Sequence, residues 1–329
     1  MKIGKKQKMK QFHLFIIDPI ENLNFKLDSS IRLAFELIQL GANVYSTEIT
    51  DLFWNIRDAC ASCYANQIAF PDGTIESLSI VKKENFLLEK FNGIHMRKEP
   101  PFNISYISAT WFLDSVRDRT KIYNDPAALR AINEKLSIFR FPEAVKDALV
   151  SCNVLDLYEF LETKANGDAI LKPLDLFGGK GIIRLQLSLM SKEQALAILD
   201  DATNHSKSPR LIQPFDHRIS DGEVRVFTFN GDAISWCLKK PREGHYMANT
   251  SEGARLLEYK PDHKMRSMVE EVAKALVDSG IYIAGFDIIG DAISEINVTS
   301  PRLLQAAEDQ TNYYKEIAKK MCLETEIRS

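Results

Sequence analysis

The stretch ILKPLDLFGGKG, Ile170 to Gly181, places a lysine at the end of an apolar run and follows it with three glycines within four residues. Pro173 comes directly after Lys172, so the run reads as a strand that stops in a loop. Gly178, Gly179 and Gly181 carry no Cβ. Consecutive backbone N–H groups in such a loop can form a nest for phosphate oxygens, and a nearby lysine can neutralise the same group. The G-K-[ST] that completes a Walker A loop is missing. Taken by itself, the stretch reads equally as a tight hairpin with an exposed lysine.

A second stretch, FDIIGDAISEINVTSP (Phe286 to Pro301), carries the complementary chemistry. Glu295 and Asn297 are two residues apart, so on a strand they point to one face. A turn at Gly290-Asp291 can fold Asp287 against them. Two carboxylates and an amide oxygen are hard ligands suited to Mg²⁺ that carries substrate phosphates. The alternative is a solvated strand face, which the apolar neighbours disfavour. With Lys172 and the glycine loop, the pattern points to a nucleoside triphosphate held by lysines and metal for phosphoryl transfer. Arg225 is a further candidate, with a surface salt bridge as its alternative role.

Around these stretches the periodicity alternates between strand and helix. Leu14 to Ile17 reads as a strand that ends at Asp18-Pro19. A helix follows, capped by Asp28 or Ser29, with Ile31, Leu33, Ala34, Phe35, Leu37 and Ile38 apolar and Gly41 as its stop. Asn43 to Ile49 is a second strand, so the chain begins as an open α/β layer. The glycine fingerprint of a dinucleotide-binding fold is missing after the first strand. Further on, the pattern predicts a turn at Pro71–Glu76, a helix over Ser105–Arg119, a strand at Lys121–Asp125 and a helix running on from Pro126. Two strands flank the glycine loop within residues 168–185. Lys192–Ala202 is helical and Arg210–Phe215 is a short strand. Glu223 to Lys240 forms a hairpin that turns at Asn230-Gly231. Met265, Met268, Val269, Val272, Leu276 and Val277 repeat at helical spacing up to Gly280.

Composition narrows the function class. Of 329 residues, 45% are hydrophobic and 26% charged, as in ordinary globular proteins. The 42 basic and 45 acidic residues leave a net charge of -3, which gives no electrostatic case for nucleic acid or membrane as a partner. No window reaches the length of an uncharged membrane span. The five cysteines suggest no disulfide framework, so a reducing, cytoplasmic setting is expected. Cys60 and Cys63 have redox-pair spacing without the strand and turn that would activate them. Residues 1–10, with five lysines, read as a flexible basic extension.

Six blocks in order resemble the ATP-grasp ligases, and within them the prokaryotic glutathione synthetases. They are IDPIENLNFKLDSS (Ile17 to Ser30), MRKEPPF (Met96 to Phe102), NEKL (Asn133 to Leu136), ILKPLDLFGGKGI (Ile170 to Ile182), DGEVRV (Asp221 to Val226) and GFDIIGDAISEINVTSP (Gly285 to Pro301). The resemblance implies a mixed α/β and α+β fold. An N-terminal open α/β domain over residues 11–122 would precede a two-lobed ATP-grasp module over 123–320, with the smaller lobe at about 135–212. Lys135 and Lys172 would contact ATP phosphates, under a lid of Gly178, Gly179, Lys180 and Gly181. Gln213, Pro214 and Phe215 would form the adenine hinge, and Glu223 would lie beside them at the nucleotide. Asp287, Glu295 and Asn297 would hold Mg²⁺, two ions in all, with Mn²⁺ as a substitute. Arg225 and Lys172 would act in catalysis. Asp18, Ser29, Arg97 and Asn249 would bind substrate. The implied reaction joins γ-glutamylcysteine to glycine through an acyl phosphate, in a homo-oligomeric enzyme.

The sequence also departs from that family. Met247 occupies the place of an arginine that helps hold the acceptor substrate, and methionine cannot pair with a carboxylate. Arg242 or Lys240 could substitute from a shifted loop. Glu223 replaces an aspartate, and Arg302 a small polar residue. These departures keep open another ATP-grasp carboxylate–amine ligase with a different substrate pair, and a nucleotide-binding protein without catalysis.

Overall fold

Three sheets organise the chain. The computed structural model describes residues 10–176, 178–250 and 253–326; the basic extension lies outside them up to residue 9. The first sheet starts with β1 (Phe12–Ile16) and the helix α1 (Ser29–Gln39). Asp28 caps α1, accepting from the Ser30 and Ile31 amides at 2.8 and 2.9 Å. Gly41, at φ +92°, lets the chain leave the helix. The strands β2 (Asn43–Thr47), β3 (Leu52–Phe53), β4 (Ser62–Ala69), β5 (Ser79–Leu87) and β6 (Gly93–Met96) follow, then α2 (Ile104–Asp114) and β7 (Lys121–Tyr123). The order is β3-β4-β2-β1-β6-β7, with β5 on β4. β2, β1, β6 and β7 run parallel, as an open α/β layer requires.

Two helices are shorter than the sequence pattern predicts. α2 stops at Asp114, where the Ser115 hydroxyl turns back to the Phe112 carbonyl and accepts the Ala61 amide. The helix after Pro126, α3 (Pro126–Ala131), gives way to an extended Ile132. The Asn133 side chain then caps a new turn, accepting from the Lys135 and Leu136 amides, and its own amide donates to the Leu174 carbonyl. This break directs Glu134 and Lys135 towards the later strands.

The second sheet comprises β8 (Leu149–Ser151), α4 (Val154–Thr163), β9 (Asp168–Pro173), β10 (Ile183–Gln186), α5 (Lys192–Ala202) and β11 (Arg210–Pro214), in the order β10-β9-β11-β8. Leu157, Leu161 and Leu199 of its helices pack on Leu171, Leu185 and Ile212. The third sheet is formed by β12 (Glu223–Phe229), β13 (Asp232–Lys240), β14 (Arg255–Glu258), β15 (Ile283–Ile289) and β16 (Ala292–Asn297), in the order β14-β13-β12-β15-β16. The helix α6 (His263–Asp278) buries Val269, Val272 and Leu276 against it.

The segment after Pro301 is expected to be a surface helix. It is irregular up to residue 312, and α7 (Tyr313–Glu326) is half buried instead. Tyr314, Ile317, Ala318 and Met321 share a core with Ile31, Leu33 and Leu37 of α1. The end of the chain therefore closes on its beginning. Among the described residues, no helix is long and apolar enough to cross a membrane.

Two β-bulges set the side-chain geometry of the third sheet. Thr228 faces Ala233 but Phe227 faces Ser235, so Ile234 is extra; beyond it Glu223 lies opposite Lys239. Ile288 faces Ile293 but Asp287 faces Glu295, so Ser294 is extra. A one-residue register change moves side chains to the other face of a sheet, so each bulge decides what meets across the strands.

Candidate active site

A cleft of about 1090 Å³, partly open to solvent, separates the second and third sheets. Lys172 reaches it from β9, Gln213 and Pro214 from β11, and Phe215 from the turn beyond. Glu223 and Arg225 reach it from β12, Asp287 from β15, and Glu295 and Asn297 from β16.

Asp287 is the most heavily bonded residue of the floor. Arg225 grips it in bidentate fashion, Nε to Oδ1 at 2.9 Å and Nη2 to Oδ2 at 2.8 Å. Lys239 Nζ donates to Oδ1 at 2.7 Å, and Asn297 Nδ2 to Oδ2 at 3.0 Å. Lys239 also meets Glu223 at 2.5 Å. Burial alone would raise the Asp287 carboxyl, but Arg225 and Lys239 hold it well below the usual carboxylate range. Burial would lower the Lys239 ammonium; Asp287 and Glu223 outweigh that and raise it. Glu295, facing Asp287, lies 3.4 Å from Lys135 Nζ. Lys135 Nζ also donates to the Leu176 carbonyl at 2.6 Å, at the entry to the glycine loop. Lys172 is shifted down by loss of solvent, against the pull of Glu295 and Glu223.

The loop itself requires its glycines. Gly178, Gly179 and Gly181 have φ of +64°, +79° and +71°. A Cβ on Gly179 would lie 2.4 Å from Asn249 Nδ2, and that amide donates to the Gly178 carbonyl at 3.1 Å. Asn249, in the loop between β13 and β14, thus latches the glycine loop over the cleft. Met247 and Tyr246 line the cleft beside it. At the Phe215 end of the cleft, the Arg184 guanidinium stacks on the Phe215 ring at 3.4 Å and pairs with Asp168.

Lys180 lines an adjoining cavity with Glu99, Thr299 and Arg302. Gly178, Arg225, Lys239, Asn249 and Asn297 line both spaces and so form the wall between them.

Three candidates lie apart from both cavities. Asp18 accepts the Glu99 amide at 2.9 Å and pairs with Lys98. Ser29 Oγ accepts the Leu303 amide at 2.9 Å and meets the Tyr314 hydroxyl. Arg97 is 5% exposed and donates to Ser30 Oγ and the Pro301 carbonyl. Ser29 and Arg97 fasten the N-terminal layer to residues 301–303 beside the second cavity, and Asp18 holds Glu99, which lines that cavity. Lys240 and Arg242 turn elsewhere, to the Asp221 carbonyl and against Gly253.

The sequence pattern did not single out Lys239, Glu134 or Lys146. Glu134 accepts the Val298 and Thr299 amides and the Thr299 hydroxyl, and so fixes the exit from β16. Lys146 pairs with Asp216 in the cleft. The NEKL block carried a signal for Glu134; the other two carried none that spacing reveals.

No group of three or more His, Cys, Asp and Glu side chains gathers into a metal cluster among the described residues. The candidate metal set is two carboxylates and an amide. Such oxygen donors fit Mg²⁺, which completes its shell with phosphates and water. The Cys60 and Cys63 thiols are buried, and burial pushes Cys63 up to about 12, away from the thiolate that redox chemistry needs.

Glycine loop above, carboxylates below and lysines between two sheets make this an ATP-grasp ligase, an ATP-dependent enzyme. The chain belongs to the prokaryotic glutathione synthetase family: residues 12–130 match its N-terminal domain and residues 134–312 its ATP-grasp domain. It is 32% identical to the glutathione synthetase of Photorhabdus laumondii over 89% of this chain and 91% of that one. The glutathione synthetase of Buchnera aphidicola from Schizaphis graminum is 30% identical over 90% and 91%. The fold is similar to the D-cycloserine synthetase DcsG, with TM-score 0.64 and 15% identity over 94% of this chain and 99% of that one. It is also similar to the ATP-grasp ligase PsnB complexed with minimal precursor, Mg and ADP, with TM-score 0.62 and 14% identity over 95% and 97%.

Proposed function

We infer that this enzyme joins γ-glutamylcysteine to glycine with ATP, giving glutathione, ADP and phosphate. The observation that carries the reading is Asp287 and Glu295 facing each other below a glycine loop, ringed by Lys135, Lys172 and Arg225.

A carboxylate is a poor electrophile, so it first attacks the γ-phosphorus of ATP, and ADP leaves. The resulting acyl phosphate is attacked at carbon by the glycine amine, which loses a proton, and phosphate leaves. Lys135 and Lys172 offset the charge of the phosphates, and Arg225 stabilises the transferred group and the acyl oxygen. Gln213, Pro214 and Phe215 hold the adenine. Gly178 to Gly181, latched by Asn249, exclude water that would hydrolyse the acyl phosphate. Asp287, Glu295 and Asn297 hold Mg²⁺, two ions, with Mn²⁺ able to replace it. The metal supplies charge neutralisation at the phosphates. Asp18, Ser29 and Arg97 position the wall of the substrate cavity.

ADP release with each of ATP, γ-glutamylcysteine and glycine omitted in turn tests the reading, with the product identified by mass. Glutathione formed only in the full mixture is expected. ATP consumed only with another acid–amine pair would overturn the substrate assignment. Met247 is the observation that favours this second reading, because it lines the cleft where a cation is expected.

A further inference from the structure

Every acceptor position of Asp287 is in use. Oδ1 receives Arg225 Nε and Lys239 Nζ; Oδ2 receives Arg225 Nη2 and Asn297 Nδ2. A carboxylate oxygen offers about two lone-pair directions. A divalent ion can therefore bond to Asp287 only by displacing one of these partners.

Of the two cations on Asp287, geometry selects Lys239 as the one that leaves. Arg225 is held at two points in a rigid fork and would lose both bonds at once. Lys239 makes one contact to Asp287, on a flexible four-carbon stem. Its second carboxylate, Glu223 at 2.5 Å, keeps the ammonium paired when the first is lost. Its side chain is only 5% exposed, so an ammonium that left Asp287 without finding another partner would stay largely desolvated. Lys239 does have the adjoining cavity, whose wall it shares and which Lys180, Arg225 and Arg302 also line. Lys240 and Arg242, near the loop that carries Met247, turn instead to the Asp221 carbonyl and against Gly253.

We propose that Lys239 is an exchangeable counter-ion: it neutralises Asp287 in the metal-free enzyme, yields that carboxylate to the divalent ion, and turns to a carboxylate of the acid substrate in the adjoining cavity. Metal loading then prepares the cavity for its anionic substrate, and the two bind with positive coupling. This rests on the reading of Asp287 and Glu295 as metal ligands.

The test is a Mn²⁺ titration of the full chain at saturating ADP, followed by electron paramagnetic resonance, with KM for γ-glutamylcysteine measured in parallel. Removing the competing ammonium in Lys239→Met is expected to tighten Mn²⁺ by about tenfold and to raise that KM by a similar factor. Lys239→Gln, which leaves Glu223 a polar partner, gives the same reading where the methionine variant does not fold. Mn²⁺ affinity at or below the parent value, or an unchanged KM, would overturn the proposal. Glu295→Gln separates the two levels: it must weaken Mn²⁺, and if it does not, the metal assignment itself fails.

Discussion

Asp287 faces Glu295 across β15 and β16 because Ser294 adds one residue to the returning strand. Without that bulge, the turn at Gly290-Asp291 would bring Ser294 opposite Asp287. The two carboxylates differ in what they hold. Asp287 neutralises two buried cations, whereas Glu295 has one ion pair among the described residues, to Lys135 at 3.4 Å. Glu295→Ala and Asp287→Ala should both reduce turnover by at least about a hundredfold if they carry metal. Their stabilities should diverge. Asp287→Ala leaves Arg225 without its carboxylate and should cost about 3–5 kcal/mol, while Glu295→Ala costs far less. Urea unfolding of both variants checks this, and equal losses would contradict the difference in roles.

Much of this architecture is written locally. The Asp28 cap and Gly41 stop bound α1, and the Ser191–Gln194 capping box starts α5 where the pattern places it. The period-two spacing of Glu295 and Asn297 also sufficed to place them on one face. What the sequence concealed depends on register and on distant partners. Lys239 meets Glu223 only because Ile234 bulges, and no spacing rule announces a bulge. Nor does any spacing rule announce that Arg97 donates to the Pro301 carbonyl, 204 residues away. The apolar side of α7 has meaning only once α1 is beside it.

Gly179 tests the loop. Alanine there must adopt φ near +79° with its Cβ 2.4 Å from Asn249 Nδ2. The left-handed backbone costs about 1–2 kcal/mol, and the clash would break the latch to Gly178. Gly179→Ala is expected to weaken ATP binding at least about tenfold with little loss of global stability, because the loop lies outside the core. Calorimetric binding of ATP and a melting curve measure the two quantities. Unchanged ATP affinity would remove the loop from the nucleotide site.

The first sheet contains a buried pair, His13 Nδ1 and His95 Nε2, 3.0 Å apart. Their other ring nitrogens have no hydrogen-bond partner among the described residues. Burial lowers His13 to about 4, and burial with His13 and Arg97 nearby holds His95 well below its usual value. Stability from these groups is therefore complete above about pH 6.5, where the unfolded histidines are neutral. As pH falls through 6.5 the unfolded chain takes up protons and the folded one does not, so stability declines down to about pH 4. His13 alone is worth about 3 kcal/mol over that window. Urea unfolding at pH 7.5, 6 and 5 should show the decline, and His13→Phe should flatten it. A slope identical in both proteins would place the pH dependence elsewhere.

Met247 is the most informative single position for substrate choice. It lines the cleft beside Asn249, and its sulfur lies 3.3 Å from the place a Gly179 Cβ would take. An arginine there reaches the wall that Lys239 and Asn249 share with the adjoining cavity. If the present enzyme lacks a carboxylate clamp, Met247→Arg adds a charge-assisted pair and should lower KM for γ-glutamylcysteine by about tenfold, while the KM for ATP stays within about twofold. If Lys239 already serves that carboxylate, the gain shrinks in the parent chain and returns in full when Met247→Arg is combined with Lys239→Met. Steady-state KM values for the two single variants and the double variant decide between these outcomes, since two residues that serve one carboxylate cannot have additive effects.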